Sequence, residues 1–265
     1  MSDDASDDAP ADAPDIDGLA VEAVTRPDLL DALREGAMTT GDLERMLDCS
    51  RSTVHRAVSL LRESGAAVQT DDGYALTGVG RSVAAETRRY RDRLGTAARL
   101  GPFLNALPVD APEPPLDAFA DATVTEPDGR RLHPSLSRLR DLVADSDRVR
   151  LLSSVISPVY VDLLHEAVLD GARVQAVFDP AVVEIIFEEY AGDVRDAADT
   201  GTFEVRIGDD CPFELFVFEQ RVALAVHDEA GHLRAFVESS DDDAYAWCER
   251  LFDRYHDAAD YATVI

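Results

Sequence analysis

Ser50, Arg51, Ser52, Thr53, His55, Arg56, Ser59 and Arg62 all fall within the stretch SRSTVHRAVSLLR, where hydroxyl, imidazole and guanidinium groups alternate with aliphatic ones. At helical spacing Val54, Ala57, Val58 and Leu61 share one face. Arg51, Ser52, His55, Ser59 and Arg62 then project from the opposite face, with Thr53 and Arg56 at its flanks. Short polar side chains let a helix backbone approach phosphates, and longer donors near its N-terminus reach base edges in the major groove. The chemistry implied is hydrogen bonding to duplex DNA. The plainer alternative is an amphipathic helix whose polar face is only solvated.

The elements around this helix favour the first reading. TTGDLERML carries Leu43, Met46 and Leu47 on one side, with Thr39 or Thr40 placed to cap its N-terminus. DCS at 48–50 is a turn, Ser50 caps the second helix and Gly65 ends it. AAVQT, DDG and GYALT then read as two short strands joined by a tight turn. Helix, turn, helix and hairpin in that order spell a winged helix-turn-helix domain over 19–80, which begins with an opening helix in 19–34 whose Leu29, Leu30 and Leu33 face its core.

Charge is distributed unevenly. The chain of 265 residues has a net charge of −28, and all 25 of its basic residues are Arg. Residues 1–18 hold seven Asp and no base, 19–99 hold twelve acids and twelve Arg, and 100–265 hold 34 acids and 13 Arg. Only the proposed DNA-binding region is balanced, and Arg45, Arg51, Arg56, Arg62 and Arg81 are its candidate phosphate or base contacts. Self-repulsion of this size destabilises a compact state unless salt screens it, and at molar salt the Debye length falls to about 3 Å. The composition therefore resembles that of salt-accumulating, halophilic archaeal proteins.

The first residues, Asp, Ala, Ser and Pro with almost nothing to bury, predict a disordered acidic tail over 1–18. After the wing, 81–121 reads as connecting helices, with the basic cluster ETRRYRDR suited to a dimer strut or a docking helix, and the Pro-rich linker PVDAPEPPLD. No apolar run approaches the ~20 residues that span a bilayer, and no signal-peptide pattern opens the chain. A cytoplasmic protein without a membrane partner is expected. Cys49, Cys211 and Cys248 are too dispersed for a metal pair and read as small buried residues, with a redox role at Cys49 as the alternative.

From 122 onward apolar strands alternate with helices. VRLLSSV, ARVQAVF and FEVRI are separated by SPVYVDLLHEAVLDG and DPAVVEIIFEEYA, which favours parallel pairing. ELFVF, RVALAVH and LRAFVES are joined by short turns, which favours an antiparallel extension. The fold class is thus α+β and α/β: a winged helix followed, over 122–265, by an α/β domain with a mixed sheet covered by helices.

In an open sheet, ligands bind beyond the carboxyl ends of the strands. Ser153, Ser154 and Ser157 follow one such strand into a helix N-terminus, Asp179 follows the next, and Asp209 opens the loop after a third. These are the candidate ligand-binding residues for a small-molecule effector; alternatively Ser157 and Asp179 are helix caps before Pro158 and Pro180. HDEAGH at 227–232 places two histidines and two acids across a turn, but reads more simply as a polar hairpin, so no metal site is assigned. No Gly-rich phosphate loop follows a strand and no G-x-S-x-G occurs. No cofactor and no enzymatic activity are expected.

VRLLSSVISPVYVDLLHEAVLDGARVQAVFDPAVVE and CPFELFVFEQRVALAVHDEAGHLRAFVES, together with the winged helix, resemble archaeal helix-turn-helix regulators that carry a C-terminal methanogenesis-regulator middle domain. The ISP helix start at 156–158, Pro212 with Phe213, and FEQRVAL at 218–224 carry the likeness, which spans nearly all of 19–260. It implies a homodimeric transcription regulator binding operator DNA, with a sensor or oligomerisation domain of phospholipase-D-like architecture. Phospholipase-D chemistry itself needs an HxK motif, which a chain without lysine lacks. The other reading of the whole is a protein-interaction module on a winged-helix scaffold that binds no DNA.

Overall fold

The computed structural model describes residues 15–127, 134–209, 211–228 and 230–262. Two compact units, Met1–Asp92 and Arg93–Ile265, divide the chain inside a helix.

The first unit contains α1 (Ile16–Thr25), α2 (Pro27–Glu35), α3 (Thr40–Leu47), α4 (Arg51–Glu63), β1 (Ala67–Thr70), β2 (Gly73–Leu76) and the start of α5 (Gly78–Arg99). The opening helix expected as one element is two. Pro27 cannot continue α1 and instead starts α2, and the residue before it, Arg26, adopts φ −133° and ψ 54°. Helix α1 already begins at Ile16, so 16–18 are helical and not part of a tail; the tail expected before them lies, as far as 14, outside the described residues.

Leu19, Leu29, Leu30, Leu33, Leu43, Val54, Val58 and Leu61 form the core of this unit. Each such side chain contributes about 1.5–3 kcal/mol when fully buried. Met46, expected on the inner face of α3, is 55% exposed. The two-turn helix packs through Leu43, and Leu47, four residues on, lies under it, so Met46 is rotated out of the buried stripe. Hairpin β1–β2 is antiparallel, with Ala67 opposite Leu76 and Thr70 opposite Gly73. Tyr74 exchanges two backbone hydrogen bonds with Met38, at 2.8 and 2.9 Å, which ties the hairpin to the loop before α3. Gly73 permits this approach: at φ 122°, a Cβ there would lie 2.3 Å from the Met38 carbonyl oxygen.

The second unit adds α6 (Gly101–Leu104), β3 (Thr123–Thr125), α7 (Pro134–Ala144), β4 (Arg148–Ser153), α8 (Pro158–Leu169), β5 (Arg173–Phe178), α9 (Pro180–Glu189) and α10 (Ala191–Asp199). It continues with β6 (Phe203–Ile207), β7 (Glu214–Val217), β8 (Val222–His227), β9 (Leu233–Ser239), α11 (Asp242–Ala258) and β10 (Asp260–Tyr261). Its eight strands run in the order β10-β6-β5-β4-β7-β8-β9-β3. Strands β4, β5 and β6 pair in parallel, and every other pairing is antiparallel. The mixed sheet expected from the alternation of elements is therefore present.

Alternation along the strands builds two cores. Val149, Val174, Phe178 and Phe216 face α7–α10, whereas Leu152, Val177, Leu215 and Leu224 face Phe103, Phe119 and α11. Glu238 of β9 accepts from Arg138 of α7 at 2.5 and 2.7 Å and from Arg221 at 2.7 Å. Among the described residues no helix is long and apolar enough to cross a membrane.

Candidate functional site

The first cluster of polar groups is built at the junction of α3 and α4. Thr39 caps α3 in a reciprocal capping box with Asp42. The helix ends at Asp48, whose φ of 45° is the single positive value at a non-glycine among the described residues. Short polar side chains tolerate that left-handed conformation, which lets the chain reverse within three residues. Ser50 then caps α4, its hydroxyl accepting from the Thr53 N–H at 3.3 Å. The Ser52 and Thr53 hydroxyls each lie 2.9 Å from the Ser50 hydroxyl. Three hydroxyls thus converge where free N–H groups give the helix end a partial positive charge.

Arg51, Ser52, His55, Arg56 and Arg62 are exposed along α4, while Thr53 and Ser59 are half-buried. Among the described residues Arg51 is tethered by a 3.8 Å approach to Glu44, and surface pairs of this kind are worth about 0–1 kcal/mol, so its guanidinium is readily redirected. Ser59 and Arg62 border a groove completed by Val68 and Gln69 of β1, which places the outer end of the α4 face beside the hairpin. Arg56 lies on the other edge, in a groove shared with Asp15, Asp17 and Glu22 of the α1 region. Arg81 donates to the Leu76 carbonyl at 3.1 Å, which holds it at the base of the hairpin.

The candidate ligand residues occupy the carboxyl ends of β4, β5 and β6, where the Asp179 N–H donates to the Ser153 carbonyl at 3.4 Å. Ser153 is completely buried, Ser154 is half-buried and Asp209 is exposed. Ser157 caps α8 by accepting from the Tyr160 N–H at 3.3 Å. Asp179, expected as a cap of α9, makes no such bond. Its carboxylate accepts from the Cys211 N–H at 3.0 Å and fastens the β6–β7 loop to the end of β5. Cys211 and Cys248 are buried, Cys49 is half-buried, and burial pushes the Cys248 thiol up from its usual range.

His227 and His232 do not face one another. His232 is exposed beside Asp228, whose carboxylate accepts from the N–H groups of Ala230 and His232 at 3.0 and 2.9 Å. Glu229, the other acid of that turn, lies outside the described residues. His227 instead sits 3.6 Å from Glu214.

Glu214 is the polar centre that the sequence reading did not single out. It opens β7 with no exposed surface of consequence, next to Ser153 at 2.9 Å and the Tyr160 hydroxyl at 3.3 Å. Burial pushes its carboxyl up to about 8, against the lowering effect of the two hydroxyl contacts. Burial also lowers His227, which favours its neutral form beside Glu214. An acid inside the apolar run PFELFV was the available signal.

Residues 132–258 match the family model described as Methanogenesis regulatory protein FilR1, middle domain, and residues 15–99 match the HVO_A0261 N-terminal domain. No curated protein matches the chain. Similar solved structures include TrmBL2, an archaeal chromatin protein, at 15% identity over 88% of this chain and 92% of that one, with a TM-score of 0.44. Nuc, a phospholipase D family member from Salmonella typhimurium, is 13% identical over 54% of this chain and all (100%) of its own, with a TM-score of 0.39. At such scores neither likeness carries an argument. The two domain matches show what each part is similar to: 15–99 to the HVO_A0261 N-terminal domain and 132–258 to the FilR1 middle domain.

Proposed function

We propose that the protein is a cytoplasmic, sequence-specific DNA-binding transcription regulator, not an enzyme, in which α4 is the recognition helix and β1–β2 the wing of a winged helix-turn-helix. The observation that carries this reading is the face of α4. Arg51, Ser52 and His55 stand exposed at its N-terminal half, directly after a three-hydroxyl cap, while Val54, Ala57, Val58 and Leu61 are buried. The regulatory family matched by 132–258 supports it. So does the charge balance of 19–99, the one stretch of an acidic chain in which Arg offsets every acid.

In this reading the N-terminal residues of α4 enter the major groove, and Ser50, Ser52, Thr53, Ser59 and Arg62 hold the helix against phosphates. Arg56 and Arg81 contact the backbone on either side. A homodimer sets two such helices about one DNA turn apart on a palindromic operator. The α/β unit senses an effector or holds the dimer, and ligand binding there shifts the spacing of the two helices. At high salt counterion release contributes less, so direct hydrogen bonds and hydration supply more of the specificity.

Selection from random duplex DNA by the full-length protein in molar KCl tests this. Enrichment of one palindromic sequence is expected. No enrichment at any salt concentration would overturn the reading in favour of a protein-interaction module.

A further inference from the structure

Helix α5 starts pressed onto the hairpin. A Cβ at Gly80 would collide with the Ala66 carbonyl, and the Thr77 hydroxyl just before the helix donates to the Gly65 carbonyl at 2.6 Å. Ala84 is buried in the core of the first unit, and Thr87 is buried three residues on. At helical spacing Arg81, Ala84, Arg88 and Arg91 share one face, as i, i+3, i+7 and i+10. Arg88 and Arg91 therefore continue the face that Ala84 buries, past the end of its packing, and both are exposed. The acid inside this span, Glu86, is taken by Arg89 at 2.7 Å, and among the described residues neither Arg88 nor Arg91 has an ion-pair partner. Residues 81–91 hold four Arg and that one acid, hence +3 in a chain of −28.

We infer that Arg88 and Arg91 form a second DNA-backbone contact, which holds phosphates beside the operator and carries no sequence information. The inference rests on the regulator reading, in which Arg81 meets the duplex at the base of the hairpin. From Arg81 the row extends about 10 Å along the helix to Arg88 and about 15 Å to Arg91. Duplex DNA presents one charge per about 1.7 Å of its axis, so a row of that length meets several phosphates. Guanidinium groups bind phosphate through paired N–H donors, and neither arginine has to leave a carboxylate first. Contacts of this kind fix the position of a protein on the duplex, whereas base contacts specify the sequence.

The probe is the palindromic duplex enriched from random DNA, in two lengths: trimmed to its half-sites, and extended at each end by about one DNA turn. Fluorescence anisotropy over a series of KCl concentrations gives Kd for the full-length parent, for Arg88→Ala with Arg91→Ala, and for Arg88→Lys with Arg91→Lys. The parent should bind the extended duplex about tenfold more tightly than the trimmed one, and the alanine variant should lose that gain. On the extended duplex its slope of log K against log salt should be shallower by about 2, since each phosphate contact contributes about 0.9. The lysine variant keeps both charges and should keep most of the gain. Single-base discrimination should be the same in all three proteins.

Equal affinity of the parent for the two lengths, or an equal loss on both lengths in the alanine variant, would overturn the inference while leaving α4 as the helix that reads DNA. So would an alanine variant that binds both duplexes as the parent does; an altered oligomeric state in that variant would assign the row to an acidic protein surface instead. A parent that binds no duplex would overturn the inference together with the regulator reading.

Discussion

Glu214 and Ser153 meet in the interior of the α/β unit, carboxyl oxygen to hydroxyl oxygen at 2.9 Å, where β7 begins and β4 ends. The Ser153 hydroxyl accepts from the Val155 N–H at 3.1 Å and lies 2.8 Å from the Val155 carbonyl. Donation from this hydroxyl and from Tyr160 favours the charged carboxylate, but burial outweighs both and pushes the carboxyl up to about 8, which favours the neutral acid at pH 7.

This acid makes stability fall as pH rises. The folded chain keeps its Glu214 proton up to about 8, whereas the unfolded chain releases it near the ordinary value of 4.5. Between those values the folded state binds more protons, and each pH unit removes up to about 1.4 kcal/mol. Glu214→Gln, which preserves shape and neutrality, should remove this slope and equal or exceed the parent protein in Tm at pH 8. Thermal unfolding of both proteins from pH 5 to 8.5 in molar KCl checks it. Parallel Tm curves would contradict a neutral Glu214.

Glu238 shows the opposite dependence. Arg138 and Arg221 donate to it and hold its carboxyl below the usual range, with burial opposing them. A lowered folded value means stability that is present above about 4.5 and lost as pH falls through the folded value. Glu238→Gln should cost about 1–2 kcal/mol at pH 7 and progressively less as pH falls below 4.5. Urea unfolding at pH 7 and at values below 4.5 measures the difference.

Gly73→Ala should destabilise the first unit by about 2 kcal/mol or more, because the new Cβ combines a left-handed backbone with contact against Met38. A lower Tm is expected, with loss of the two Met38–Tyr74 hydrogen bonds seen as faster amide exchange at both residues. Unchanged exchange would show that the hairpin is not anchored there.

The helical period of 51–62 and the strand alternation after 148 were legible because burial there follows a single face or a simple layer. Arg26 and Pro27 also carried their message in the sequence, since a residue before proline is steered away from the helix. Other features were not local. Strands β3 and β10 are two or three residues long and exist through pairing with β9 and β6. Helix α10 follows α9 without a breaker, divided only by the conformation of Tyr190. Glu214 draws its partners from β4, α8 and β8, so no window of sequence contains the cluster. Asp179 looked like a cap because it precedes proline, but the Cys211 N–H, 32 residues away, takes its carboxylate.

Arg51 and Arg81 differ in their settings: one extends from the first turn of α4, the other is bonded to the hairpin backbone. The measurement that tests the central claim is the affinity of the parent, Arg51→Ala and Arg81→Ala proteins for a selected duplex and for its single-base variants. Arg51→Ala should lose about 1–3 kcal/mol of discrimination at one base pair and little elsewhere. Arg81→Ala should weaken every duplex alike and flatten the salt dependence. Uniform weakening by Arg51→Ala, with discrimination intact at every position, would contradict α4 as the helix that reads DNA.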